Sequence, residues 1–210
     1  MIPRWSLLEY CATPLPPLDA VTSRTYIKQL CIALTARHDG LALGAPHAGL
    51  LFEDLQLDAD FQLMLPPSVE EGGLAPTIGG LLLQAPEAAA GLAYDGRRAD
   101  AWSLGVITFC LVTGAPPFAG AACPFRAAVM QRNWLWWVQA HAGRADALLH
   151  NASLAWLVTG LLEPDPARRI TFEQALASPW IFGFTLSPAQ LLEAMRARHD
   201  ALAAALSGGA

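Results

Sequence analysis

Residues 85–118 of this 210-residue chain, APEAAAGLAYDGRRADAWSLGVITFCLVTGAPPF, decide its fold. Apolar side chains fill most positions from 99 to 113, a run too long for a typical strand and well suited to a helix. Gly114 and Pro116 follow, and these residue types commonly end a helix. The stretch therefore predicts a helix that is buried on most of its sides, in the middle of a mainly α fold.

Further helices are predicted on both sides of this stretch, and strands are few. The candidates for short strands are residues 6–11 and a hairpin around Glu53-Asp54 within residues 50–57. Residues 60–84 show little periodicity and are predicted to form a long loop. The other predicted helices run from Thr22 or Ser23 to Asp39, over 152–163, from Thr171 to about Ala177, and from Pro188 to about Leu206.

Short motifs in and after the deciding stretch occur in a fixed order: Ala85-Pro86-Glu87, the run DAWSLG from Asp100 to Gly105, Pro116-Pro117-Phe118, and a closing pattern between Leu161 and Trp180. In this order and spacing they resemble the C-terminal lobe of eukaryotic serine/threonine protein kinases of the CAMK-like type. The resemblance implies a mainly α fold, the helical bundle of a kinase C-lobe, with a few short β-strands and no N-lobe β-sheet.

The resemblance continues toward the N-terminus. Residues 26–40 are similar to the helix before the catalytic loop, and residues 6–11, SLLEYC, to the last N-lobe strand and the hinge that touches adenine. Glu9 and Cys11 are thus implied as remnants of a nucleotide site. We expect residues 1–21 to be the remnant of that strand, the hinge and a Pro-rich linker, residues 22–182 to be the kinase-like C-lobe, and residues 183–210 to be a C-terminal helical extension.

The catalytic loop of the family, H-R-D-x-x-x-x-N, is not preserved in this chain. With Gly49 at the asparagine position, Gly44 stands where the family has its catalytic aspartate. With His47 at the histidine position instead, Gly49 stands at that aspartate position. Both registers lack the carboxylate that accepts the hydroxyl proton, so the resemblance implies no catalytic residue here.

The groups that hold nucleotide phosphates are also reduced. The only lysine is Lys28, inside a predicted helix, so it does not match the phosphate-binding lysine of the family. Asp60-Phe61-Gln62 resembles the metal-binding D-F-G motif, which leaves Asp60 as a remnant metal ligand. The alternative is that Asp60 is a loop carboxylate and Phe61 a core residue. We expect no metal site and no cofactor; ATP and magnesium are implied only if the chain is part of an active kinase.

The positions that stabilise the fold in this family are retained. Glu87 and Arg169 match a buried ion pair between the activation segment and a helix near the end of the lobe. Asp100 matches the residue that braces the catalytic loop, and Trp102 a core aromatic. We therefore expect the charged groups of Glu87 and Arg169 to be in contact and largely buried.

These observations predict a catalytically inactive pseudokinase that acts as an interaction or scaffold module. The alternative is a partial chain of a serine/threonine kinase, which transfers phosphate from ATP to protein. A protein partner is expected at an exposed N-terminal strand, with Trp5, Leu7, Leu8 and Tyr10, and at the apolar cleft floor between residues 50 and 61. In a second interpretation, the N-terminal segment folds back over this cleft and closes it.

Composition narrows the class of protein further. Hydrophobic residues make up 54% and charged residues 15% of the chain, and the net charge is -5 without a basic block. Binding to nucleic acid or to a membrane surface through charge is therefore not expected. The four cysteines form no CxxC pair, and the N-terminus lacks the pattern of a signal peptide. We expect reduced thiols and a cytoplasmic location.

Overall fold

Helices dominate the computed structural model, which describes residues 6–7, 9–11, 15–39, 50, 55–65, 83–91, 93–119, 123–141, 143 and 145–207. The mainly α prediction is confirmed. The helices are α1 Ala20–Asp39, α2 Pro86–Ala89, α3 Gly96–Thr113, α4 Pro124–Met130, α5 Trp134–Ala140, α6 Asp146–Leu149, α7 Ala152–Leu161, α8 Phe172–Leu176, α9 Pro179–Phe182 and α10 Pro188–Ser207. The strands are β1 Gln56–Leu57 and β2 Leu63–Met64.

The predicted buried helix is α3, and it forms the centre of the core. Helices α1 and α7 pack against it, and nearly every side chain from Ala99 to Leu111 is buried. The helix begins three positions before the predicted start at residue 99, because the Asp95 side chain accepts a hydrogen bond from the Arg97 N–H at 2.9 Å. It ends at Gly114, whose φ of 72° is a left-handed conformation that suits glycine.

Helix α1 also begins earlier than the sequence suggested. The Asp19 carboxylate accepts hydrogen bonds from the N–H groups of Val21 and Thr22 at 2.9 and 3.0 Å, so the helix starts at Ala20. At the start of α8, Thr171 and Gln174 form a reciprocal capping box. In the part of the chain that the structure describes, no helix has the length and apolarity needed to cross a membrane.

Helices α3 and α7 approach each other closely at Gly105. A Cβ placed on Gly105 would lie 2.8 Å from Leu161 Cβ and 3.1 Å from two atoms of Leu162. The nearest of these atoms is attached directly to the α7 backbone, so it cannot move without moving the helix. The absence of a side chain at Gly105 therefore sets the distance between the two helices.

Replacing Gly105 by alanine is expected to lower the free energy of unfolding by about 1–3 kcal/mol through overpacking. This reverses the usual order, in which alanine favours a helix over glycine by about 1 kcal/mol. Gly160→Ala in α7 is the comparison variant, because its Cβ would meet only side-chain atoms of Ile170, Cγ2 at 3.0 Å and Cδ1 at 3.2 Å, and a smaller loss is expected there. Urea denaturation of both variants measures the difference. An increase in stability for Gly105→Ala would contradict the close crossing.

The described strands form a pair that the sequence did not predict. Strands β1 and β2 are antiparallel, with Gln56 opposite Met64 and Leu57 opposite Leu63. The turn between them is residues 58–62, because the Asp58 side chain accepts hydrogen bonds from two backbone N–H groups within it. Glu53 and Asp54, where the turn was expected, lie outside the described residues.

The N-terminal segment does not form the exposed strand that the sequence suggested. Ser6 makes one antiparallel bridge with Gln56, and the Leu7 N–H donates to the Leu55 carbonyl at 2.7 Å. The side chains of Leu7 and Tyr10 are 0% and 1% exposed. The prediction of an exposed apolar edge is thus wrong for these two residues, since the C-terminal helix α10 contacts this segment. Trp5 and Leu8 lie outside the described residues.

Candidate functional site

Glu87 and Arg169 form a bidentate ion pair. Glu87 lies in the first turn of α2, and Arg169 lies in the connection between α7 and α8. Arg169 Nη1 is 2.6 Å from Glu87 Oε1, and Nη2 is 2.9 Å from Oε2. The Arg169 side chain is 0% exposed and that of Glu87 is 9% exposed. The structure thus brings together the two charges that the resemblance pairs, in the parallel geometry favoured by guanidinium and carboxylate.

Further contacts hold the Arg169 guanidinium in place. Its Nε donates to the Glu163 carbonyl at 2.8 Å, and Nη1 also donates to the Arg98 carbonyl at 2.6 Å. The face of the group lies over the Trp102 ring, 5.2 Å from the ring centroid. A buried cation is tolerated only when its donors are satisfied. Arg169 therefore joins α2, α3 and the connection after α7 into one polar cluster inside the core.

Asp100 is paired with a residue that the sequence did not single out. His38 Nε2 and Asp100 Oδ2 are 2.9 Å apart, and both side chains are less than 5% exposed. The family position suggests that Asp100 braces the catalytic loop, but residues 41–49 lie outside the described residues. The helical spacing could have predicted that His38 is buried, because it lies four residues after Leu34 on the buried face of α1.

Asp60 lies on the exposed side of the turn between β1 and β2. The neighbouring carboxylate of Asp58 organises this turn, accepting from the N–H groups of Asp60 and Gln62 at 2.9 and 2.8 Å. Gln29 of α1 fixes the other side of the turn through the Gln62 amide at 3.0 Å. The structure places Asp60 at the protein surface as a turn residue.

Phe61, the next residue, points into the core. Its side chain is 2% exposed, and its φ of 57° is unusual for a residue with a side chain. The Tyr26 hydroxyl donates to the Phe61 carbonyl at 3.0 Å. The Phe61 ring meets the edge of Tyr10 with the ring centroids 5.9 Å apart. This buried aromatic contact thus connects the D-F-G-like motif, residues 60–62, to residues 6–11, the hinge-like segment.

Glu9 and Cys11, the expected nucleotide-site remnants, differ in environment. Glu9 is exposed, and its carboxylate accepts from the Ser6 N–H at 2.5 Å. Cys11 is 5% exposed, and its thiol donates to the Leu7 carbonyl at 3.5 Å. Burial raises the pKa of the Cys11 thiol to about 12, so the thiol stays protonated at neutral pH. Gly44 and Gly49 lie outside the described residues, so their sequence assignment stays a prediction.

The tryptophan-rich region spreads from the core to the surface. Trp137 is 0% exposed and contacts Phe109 with ring centroids 5.0 Å apart. Trp136 is 43% exposed and Leu135 is 68% exposed. Trp137 is therefore a core residue, whereas the side chains of Leu135 and Trp136 are exposed.

A comparison with known protein families matches the part of the chain that contains the Glu87–Arg169 ion pair. The family model described as "Protein kinase domain" matches residues 69–181. This interval includes Glu87, Asp100, Trp102 and Arg169, and it ends within α9.

Individual relatives match a larger part of the chain. The chain is 35% identical over 172 residues to "Putative CBL-interacting protein kinase 27" of Oryza sativa subsp. japonica, covering 75% of this chain and 38% of the rice protein. It is 31% identical over 176 residues to "CBL-interacting serine/threonine-protein kinase 7" of Arabidopsis thaliana, covering 78% and 37%. It is 35% identical over 116 residues to "SNF-related serine/threonine-protein kinase" of Homo sapiens, covering 55% and 14%. The chain thus spans well under half the length of these relatives.

Proposed function

This chain belongs to the protein kinase family, and from that premise we propose that it is a catalytically inactive member that acts as a protein-interaction module. The observation that carries the proposal is the contrast between two parts of the fold. The buried Glu87–Arg169 pair, which stabilises the lobe, is intact. The positions for proton transfer, Gly44 or Gly49 according to the register, carry no side chain.

Kinase catalysis depends on positioning and on neutralising phosphate charge, so missing charges are decisive. A glycine at the catalytic aspartate position cannot accept a proton from the substrate hydroxyl. The only lysine, Lys28, lies within α1 and not on a strand beside a nucleotide. Each loss of about 1.4 kcal/mol in transition-state stabilisation lowers the rate tenfold. Several such losses together bring phosphate transfer to background.

The proposal extends to cofactors. Magnesium in kinases is usually shared between one or two carboxylates and the substrate phosphates. Asp60 supplies a carboxylate on an exposed turn, where water competes for the ion. We therefore propose that neither ATP nor magnesium is bound.

The second candidate is a portion of an active serine/threonine kinase. The relatives favour it, since two are named serine/threonine-protein kinases and this chain corresponds to 37% and 14% of their lengths. The internal glycines argue against it, because loss of a neighbouring segment does not change residues 44 and 49. An in-frame coding sequence upstream of Met1, with a glycine-rich loop and a strand lysine, would favour this candidate.

Purified protein is expected to show no phosphate transfer to generic peptide substrates in a radiolabel assay, and no rise in melting temperature with ATP and magnesium. A site with a Kd one hundredth of the ATP concentration would raise the melting temperature by roughly 5–10 °C. Asp60→Ala is the matched control, since the residue is exposed and its loss leaves the core unchanged. Transfer above background that disappears in Asp60→Ala would contradict the proposal.

We also propose a protein partner and an intracellular location. The net charge of -5 disfavours nucleic acid, and all four cysteines are free. The face expected for the partner comprises the N-terminal segment with Trp5, Leu7, Leu8 and Tyr10, and the cleft floor between residues 50 and 61. In this structure α10 contacts that segment, so a partner that uses this face must first displace the helix.

A further inference from the structure

The side chain of Arg198 attaches the C-terminal helix α10 to the hinge-like segment. Arg198 Nη2 donates to the carbonyls of Tyr10 at 2.8 Å and Pro16 at 2.7 Å, and Nε donates to the Tyr10 carbonyl at 3.2 Å. Hydrogen bonds from a charged donor are stronger than neutral ones. This one guanidinium therefore connects positions in the chain that are more than 180 residues apart.

Aromatic contacts support the same attachment. The Tyr10 hydroxyl and His199 Nδ1 are 3.0 Å apart, and the His199 ring lies 6.4 Å from the Phe61 ring between centroids. Tyr10 and Phe61 are both buried. The helix thus covers the aromatic residues that connect the hinge-like segment to the turn carrying Asp60.

Helix α10 buries only a narrow apolar stripe. Its buried residues are Leu191, Met195 and Leu202, whose spacing places them on a single helical stripe. The rest of this 20-residue helix is exposed or half-buried. By contrast, the central helix α3 is buried on nearly all sides. Elements with few buried apolar contacts open at lower free energy than the core.

The connection before α10 is held by contacts that do not involve the buried residues of the helix. Arg24 Nη1 donates to the Phe184 carbonyl at 2.9 Å, and the Leu186 N–H donates to Thr25 Oγ1 at 3.0 Å. Both contacts are made to α1. The helix can therefore leave the hinge-like segment while its N-terminal end stays attached to the lobe.

From this arrangement we propose that α10 is a displaceable strap that covers the hinge-like segment in cis and opens without unfolding of the lobe. Opening uncovers Tyr10, Phe61 and the Tyr10 carbonyl together. The strap thereby controls access to this face for any protein that binds it. The inference does not depend on whether the lobe is catalytically inactive, so the two can fail separately.

Cys11 is a built-in reporter of the strap. Its thiol is 5% exposed, and Cys11 follows Tyr10, whose carbonyl accepts the hydrogen bond from Arg198 at 2.8 Å. Cys31 and Cys110 are buried in α1 and α3 and report opening of the core. Cys123 is half-buried and reports the rate at an accessible thiol.

The test is alkylation of the full chain with iodoacetamide, followed at each cysteine by mass spectrometry. In the wild-type protein, Cys11 is expected to react faster than Cys31 and Cys110 and more slowly than Cys123. Arg198→Met keeps an aliphatic side chain but removes the donors, and should speed the reaction of Cys11 by about 10- to 100-fold. Arg196→Met, at an exposed position of the same helix, is the matched control and should leave all rates unchanged.

Two results would overturn the strap. One is a Cys11 rate equal to those of Cys31 and Cys110 in the wild-type protein, because α10 would then open only with the core. The other is an Arg198→Met rate for Cys11 no higher than that of Arg196→Met. If Arg198→Met does not fold, a urea series on the wild-type protein decides. If α10 opens alone, the alkylation rate of Cys11 should depend only weakly on urea concentration. If it opens together with the core, the rate should depend on urea as steeply as that of Cys110.

Discussion

Replacing Glu87 by glutamine is expected to lower the free energy of unfolding by about 3–5 kcal/mol. The substitution leaves the fully buried guanidinium of Arg169 without its counter-charge and turns an amide N–H₂ toward it. A buried cation without a partner carries a desolvation penalty that its hydrogen bonds to carbonyls offset only in part. The loss is large compared with the roughly 5–15 kcal/mol that stabilises a typical domain.

Arg97→Ala provides the matched control for this prediction. Arg97 forms ion pairs with Asp39 at 3.3 Å and Glu173 at 2.8 Å, and all three side chains are at least 40% exposed. Exposed pairs contribute about 0–1 kcal/mol. Urea denaturation, analysed with the same m-value for both variants, measures the two losses of unfolding free energy. A loss for Glu87→Gln as small as that for Arg97→Ala would show that the buried pair does not stabilise the lobe.

Arg169→Met should be at least as damaging as Glu87→Gln. Arg169 also donates to the carbonyls of Glu163, Arg98 and Pro164, and those acceptors lose their partner when it is replaced. A buried acceptor without a donor costs about 1–3 kcal/mol. Within this cluster the arginine therefore has the larger structural role, because it serves several acceptors while Glu87 serves one donor group.

The ion pair could be predicted from the sequence, whereas the position of α10 could not. Ordered motifs fix the positions of Glu87 and Arg169 in a known architecture, so their contact follows from the family. The position of Arg198 depends on the backbone carbonyls of Tyr10 and Pro16. Every residue type has such a carbonyl. No pattern in the side chains marks those carbonyls as acceptors.

Errors in the boundaries have local causes. Apolar periodicity located α1 and α3, but the Asp19 and Asp95 side chains, which bond the first N–H groups, moved both starts toward the N-terminus. The pair of β1 and β2 was missed because residues 60–84 show little periodicity, whereas Asp58 accepts hydrogen bonds from two N–H groups of the turn between the strands. Periodicity reports which face is buried, and side-chain hydrogen bonds decide where elements begin and end.

Trp102→Ala is expected to destabilise the protein by about 3–5 kcal/mol, as for other large core truncations. The ring is 0% exposed, lies against Phe118 with centroids 6.0 Å apart, and has the Arg169 guanidinium over its face. Its loss leaves a cavity beside a buried charge. Trp156→Ala, at a residue that is 48% exposed, is the control and should change stability by about 0.5 kcal/mol.

The double variant Glu87→Gln/Trp102→Ala tests whether these residues stabilise the fold as one unit. Both act on Arg169, one through charge and one through the ring face, so the loss in the double variant should be smaller than the sum of the two single losses. Contacting residues show interaction energies of about 0.5–3 kcal/mol in such cycles. A purely additive result, measured by urea denaturation, would mean that Trp102 contributes by packing alone. A non-additive result would place Trp102, with Glu87, among the residues that keep the Arg169 charge stable inside the core.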